Sequence, residues 1–157
     1  MNARRWFAGL VSLAALAGCG SATDAVTFKA PAGFTSAFSV GPFMQLWTGP
    51  QDSALMLMAL PKKVDLNQAI NSSSVRDAQI EKQAAVKICG NQPALYISMI
   101  GTSHTTIGSP APAAHKSQID MIATEVNDKT YMAMYMRPVG APADAAAETA
   151  IHDVCPK

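Results

Sequence analysis

The chain has 157 residues, 49 % of them hydrophobic and 15 % charged, with twelve basic against eleven acidic side chains. That balance leaves no electrostatic footprint for nucleic acid or for an anionic lipid surface, so neither partner is expected on grounds of charge. The length suits one domain with a respectable core.

The first element is MNARRWFAGLVSLAALAGCGS, in which Arg4 and Arg5 precede an apolar run from Trp6 to Ala17 and small residues surround Cys19. A bilayer-spanning helix needs about 20 apolar residues, and this run is shorter. A charged start, a short apolar middle and a small-residue end describe an export signal. Leu16-Ala17-Gly18-Cys19 resembles the lipobox of bacterial lipoproteins, in which a peptidase cuts before the cysteine and the cysteine carries diacylglycerol. The resemblance implies a signal peptide over residues 1–18, lipidation of Cys19, a short tether over 19–27 and a membrane as partner. An aspartate after the lipidated cysteine would favour inner-membrane retention. Gly20 stands there instead, so a Gram-negative source would place the protein at the outer membrane, facing the periplasm or exterior. Two or three acyl chains anchor stably, because each buried methylene contributes about 0.8 kcal/mol.

The rest, residues 28–157, reads as a single α+β domain. "GFTSAFSV" (Gly33 to Val40) after Pro31 is an expected strand, broken by Gly41-Pro42. "FMQLWTG" is a second strand, "PQD" a turn and "SALMLMAL" a third strand, apolar on both faces and therefore central. After Pro61 the period changes. Asp65 can cap a short helix with Leu66, Ala69, Ile70 and Ser73 on one face. Gln79 to Ile88 extends again, "CGNQ" turns the chain, and "PALYISMIGT" forms a strong strand. "SHTTIGSPAPAAH" is an exposed loop. A hairpin follows, "SQIDMIATEV" and "TYMAMYMRP" about the turn Asn127, Asp128 and Lys129. Asp144 caps a final helix whose inward residues are Ala147, Ile151 and Val154. The expected fold is an antiparallel sheet of about six or seven strands covered by helices.

This order of elements, with Pro31, Gly33 and Phe34, then Trp47, then Gly90 with Pro93 and Ala94, resembles the PsbP-like sandwich. That superfamily includes the extrinsic P subunit of photosystem II, a Ran-binding nuclear-transport factor and small bacterial envelope lipoproteins. The resemblance implies binding or assembly of an envelope protein, without catalysis and without a cofactor. No functional residue of its members is matched here.

With Cys19 lipidated, Cys89 and Cys155 remain, and an oxidising envelope compartment favours their pairing. Cys89 as a nucleophile would need a nearby base and an electropositive setting, and His104, His115 and His152 fit no cysteine-enzyme signature. As a metal ligand it lacks C-x-x-C, H-x-x-x-H and H-E-x-x-H company. Met56 and Met58 share one strand face, and Met132, Met134 and Met136 share another. Thioethers suit Cu(I) and also fill irregular cores, so this face is either packing or a groove for an apolar ligand or copper. Asp120 and Glu125 point to opposite faces of one strand and make no acid pair.

Overall fold

The computed structural model describes residues 20–65, 75–103 and 115–157. Cys19, the expected helix after Asp65 and the loop from His104 to Ala114 lie outside the described residues.

Seven strands form one antiparallel sheet. They are β2 (Thr35–Val40), β3 (Met44–Thr48), β4 (Ala54–Leu60), β5 (Val75–Ile88), β6 (Gln92–Ser103), β7 (His115–Val126) and β8 (Lys129–Pro138). Their spatial order is β2-β3-β4-β8-β7-β6-β5. β4 and β8 are therefore interior, which accounts for the apolar residues on both of their faces. Leu55, Leu57 and Ala59 of β4 are buried on one face with Tyr131, Ala133 and Tyr135 of β8. Met56, Met58, Met132, Met134 and Met136 occupy the other face.

Among the described residues there is one α-helix, α1 (Ala145–His152), so a sheet covered by helices overstates the helical share. Asp144 caps it, its carboxylate accepting from the N–H groups of Ala146 at 2.9 Å and Ala147 at 3.2 Å. Ala147, Ile151 and Val154 are buried against the Leu55–Leu57 face. No helix of the described residues is long and apolar enough to cross a membrane.

The domain begins earlier than its sequence-based boundary at residue 28. Ser21 caps a 3-10 turn over Ala22–Asp24, and Ala22 and Val26 are fully buried in the core. β1 (Val26–Thr27) pairs with β9 (Cys155–Pro156). The tether is packed from Ala22 onward because its two small apolar side chains fill the edge of the layer under α1.

Two hairpins use adjacent residues at positive φ. Gln51 and Asp52 (φ 56° and 57°) join β3 to β4, and Asn127 and Asp128 (φ 51° and 59°) join β7 to β8. Between β7 and β8 these two residues are the whole loop, the geometry in which a two-residue loop matches strand twist, whereas β3 and β4 are joined by the longer connection over residues 49–53. Lys129 therefore belongs to β8 and not to the turn. Gly33, at φ 91°, turns the chain so that the Phe34 ring lies over Gly49 and edge-on to Tyr135 at 6.4 Å. The Phe28 ring packs on Trp47 at 5.1 Å, and Trp47 is a core residue.

Candidate functional site

α1 spans the sheet from Tyr135 on β8, whose hydroxyl accepts from the Asp144 N–H at 3.1 Å, to Tyr96 on β6, which stacks on His152 at 5.6 Å. On the same sheet face, next to the helix, lies a polar cluster built from four adjacent strands. β7 contributes Gln118 and Asp120, β6 contributes Tyr96 and Ser98, β8 contributes Arg137 and β5 contributes Glu81. Strand alternation brings Tyr96, Ser98, Gln118, Asp120 and Arg137 to one face, and Glu81 joins them from the register shift between Ile80 and Lys82 in β5.

Asp120 is the centre and is 5 % exposed. Its Oδ1 accepts from the Tyr96 hydroxyl at 2.8 Å and the Ser98 hydroxyl at 2.7 Å. Its Oδ2 accepts from Arg137 Nη1 at 2.7 Å. Burial alone would push this carboxyl up, but the donors Ser98, Arg137 and Tyr96 outweigh it and hold the group below the ordinary carboxylate range. Burial raises the Tyr96 phenol, and its hydrogen bond to Asp120 adds to the effect. Gln118 continues the chain, donating to Ser98 at 2.9 Å and to Glu81 at 2.9 Å. Lys82 lies 5.6 Å from the centre of the Tyr96 ring, and the Arg137 guanidinium 5.5 Å from that of Tyr135.

Among the described residues no buried side-chain nitrogen or oxygen lacks a partner. The polar groups of this cluster are engaged by one another. Asp120 is ionised and saturated, which suits holding Arg137 in place and does not suit taking a proton. Beside the cluster a cleft of about 230 Å³ is lined by Pro50, Ser53, Tyr135, Arg137 and Asp144. Arg137 is shared between the cluster and the cleft, and Glu81 and Lys82 are exposed at the β5 edge of the cluster.

The residues singled out by sequence fall elsewhere. Cys89 and Cys155 form a disulfide across a separation of 66 residues, with Cα atoms 5.5 Å apart. It ties the β5–β6 turn to the segment after α1, on the far side of the helix from the polar cluster. Met132 and Met136 are 6 % and 7 % exposed and pack with Ile97, Ile119 and Met121. Met56, Met58 and Met134 are partly buried at the margin of the same layer. Lying on opposite sheet faces, the methionines and the Asp120 cluster share no site. Asp120 and Glu125 also point to opposite faces, Glu125 pairing with Lys63 at 2.8 Å on the methionine side. Sequence reasoning missed the Asp120–Arg137 pair, although one charged residue at an inward position on each of two adjacent strands was visible.

No protein-family model matches the chain, and no curated protein matches it. Solved structures do resemble it. The solution structure of cyanobacterial PsbP from Synechocystis sp. PCC 6803 has a TM-score of 0.57 at 12 % identity, covering 88 % of this chain and 90 % of that one. The Ran-binding protein Mog1p of Saccharomyces cerevisiae has a TM-score of 0.51 at 10 % identity, covering 73 % of this chain and 72 % of that one. At these identities the likeness shows the fold alone, and the fold is PsbP-like.

Proposed function

We propose that this chain is a lipid-anchored, non-catalytic protein of the cell envelope that binds a protein partner as an assembly accessory. The Cys89–Cys155 disulfide is the observation that carries the reading. Disulfides persist in oxidising compartments, which is where the export signal before Cys19 would deliver the chain. The pairing also removes both cysteines of the domain from nucleophilic or metal chemistry, leaving Cys19 for lipid.

The likeness in fold to a Ran-binding protein supports a binding role by analogy only. The surface offered here is the face beside α1, with Arg137, Gln118 and the cleft at its centre and Glu81 and Lys82 at its rim. The carrier alternative, an apolar ligand or Cu(I) on the methionine face, has less support, because the chain's own side chains bury Met132 and Met136.

Intact mass of the protein purified from its own membranes tests the anchor. The expected product begins at Cys19 and carries acyl chains, and a product without lipid overturns the anchored reading. Capture from the same membranes tests the face. A partner retained by the wild type and lost from the charge-swapped variant Glu81→Lys/Lys82→Glu supports it, and equal retention by both removes it.

A further inference from the structure

Among the described residues five large hydrophobic side chains are exposed, and three of them, Phe38 (38 %), Val40 (43 %) and Phe43 (46 %), belong to the β2–β3 hairpin. Scattered apolar side chains on a surface need no explanation, but three within six residues on one hairpin form a patch. The hairpin is firmly held. The Phe43 N–H donates to the Val40 carbonyl at 3.0 Å, and the Phe43 carbonyl accepts from the Ala59 N–H at 2.8 Å. Phe43 is thus presented outward by a fixed backbone.

The position of this hairpin gives the patch its meaning. The ladder partners Val40 and Met44, Leu60 and Thr130, Val126 and Lys129, and Ile88 and Gln92 mark one end of the sheet. The chain enters the domain at that end. Gly20 lies so close to the hairpin that a Cβ on it would stand 3.3 Å from Pro42 Cβ. Cys19 is joined to Gly20 by one peptide bond, and consecutive Cα atoms are about 3.8 Å apart. Acyl chains on Cys19 would therefore start beside Pro42 and Phe43. At this end of the sheet Lys62, Asp128 and Lys129 leave one net positive charge, which adds a small attraction for anionic lipid to the apolar contact.

We propose that the hairpin tip formed by Phe38, Val40, Pro42 and Phe43 rests in the bilayer interface next to the lipid anchor, fixing the domain with this end of its sheet toward the membrane. This inference rests on the lipid-anchored reading above. With two points of contact the domain does not swivel on its anchor. The sheet then stands upright on the membrane, with the Asp120–Arg137 cluster toward the opposite end, which carries Val139 and points away from the bilayer.

The test uses the full chain, lipidated in its own host and reconstituted in vesicles of phosphatidylethanolamine and phosphatidylglycerol. An indole is added by Phe43→Trp in one sample and by Val139→Trp, at the far end, in another. Trp47, 8 % exposed in the core, provides the background measured on the wild type. With lipids brominated near the headgroup, the Phe43→Trp signal is lost and the Val139→Trp signal is kept, as expected for a tip about 5 to 10 Å below the headgroups. Equal quenching of both, or none, overturns the proposal, as does a Phe43→Trp signal that is shielded but unquenched because protein covers the tip. Intact mass of the same samples separates the two failures. Missing quenching with lipid on Cys19 removes only the docked tip, whereas missing lipid removes the anchored reading and the docked tip with it.

Discussion

Asp120 Oδ2 and Arg137 Nη1 lie 2.7 Å apart on neighbouring strands, with side chains 7 % and 16 % exposed. In the β7–β8 ladder Asp120 stands opposite Tyr135 and Arg137 stands opposite Gln118, so the pair is diagonal across one face. Removing one member of such a pair leaves a desolvated charge. Asp120→Ala should lower stability by about 3 kcal/mol, measured as a lower urea midpoint at unchanged slope. The double variant Asp120→Leu/Arg137→Met should recover at least half of that loss, because it removes both charges together. A double variant as unstable as Asp120→Ala would show that the Tyr96 and Ser98 hydroxyls, and not the ion pair, carry the cluster.

The same cluster sets a pH dependence at both ends. Asp120 titrates below its unfolded value of about 3.9, so its contribution is present above that pH. It is lost as the pH falls through the depressed folded value. Tyr96 titrates above its unfolded value of about 10, so its contribution is present below that pH and lost as the pH rises through the raised folded value. Urea unfolding across the pH range should show both limbs. Asp120→Asn should flatten the acid limb, and Tyr96→Phe should flatten the alkaline one.

The register of this hairpin explains why the strands were legible and the cluster was not. Alternation in "SQIDMIATEV" and "TYMAMYMRP" identifies two strands whatever their register. A three-residue turn ending at Lys129 would set Asp120 opposite Met136 and put Arg137 on the other face. The two-residue turn over Asn127 and Asp128 shifts the ladder by one position and restores them to the same face. The final helix was readable because Asp144, Ala147 and Ile151 combine a cap with a helical period. The packing of Ala22 and Val26 was not readable, since small residues after a lipid-anchor motif look alike whether they are free or buried. Their burial depends on β9, more than a hundred residues away.

Gly49 gives a steric prediction. The Phe34 ring occupies the space that a Cβ on Gly49 would need, and that ring also packs on Tyr135. Gly49→Ala should therefore cost about 1 to 3 kcal/mol through overpacking. Phe34→Leu combined with Gly49→Ala should be more stable than Gly49→Ala alone, read by thermal unfolding of the two variants. An unchanged midpoint in Gly49→Ala would mean that the ring is free to move aside.

The methionine layer predicts tolerance. Met132 and Met136 fill space among Ile97, Ile119 and Met121, and leucine has nearly the same volume and apolarity. If the layer is packing, Met132→Leu/Met136→Leu should cost less than about 1.5 kcal/mol per substitution. The variant should also retain the same bound masses as the wild type by native mass spectrometry. A reproducible ligand or copper ion lost only from the variant would instead revive the carrier reading.

The Cys89–Cys155 bond should make the largest single contribution tested here. Closing a loop of this length removes about 4 kcal/mol of chain entropy from the unfolded state. Against a net stability of about 5 to 15 kcal/mol for a domain, that is a substantial share. Cys89→Ser, Cys155→Ser and the double variant open the same loop, so all three should fall by a similar amount. Reductant should bring the wild type to their level and leave the variants unchanged. The local consequence is separable from the global one. Among the described residues β9 pairs only with β1, over two residues, and it follows directly on Val154, which is fully buried. In the opened chain, hydrogen exchange should rise first at Val26, Thr27 and Cys155→Ser, while Leu55 and Tyr135 in the central strands stay protected. Uniform loss of protection across the sheet would instead mean that the bond stabilises the whole domain through the unfolded chain alone, without locally holding the C-terminal segment.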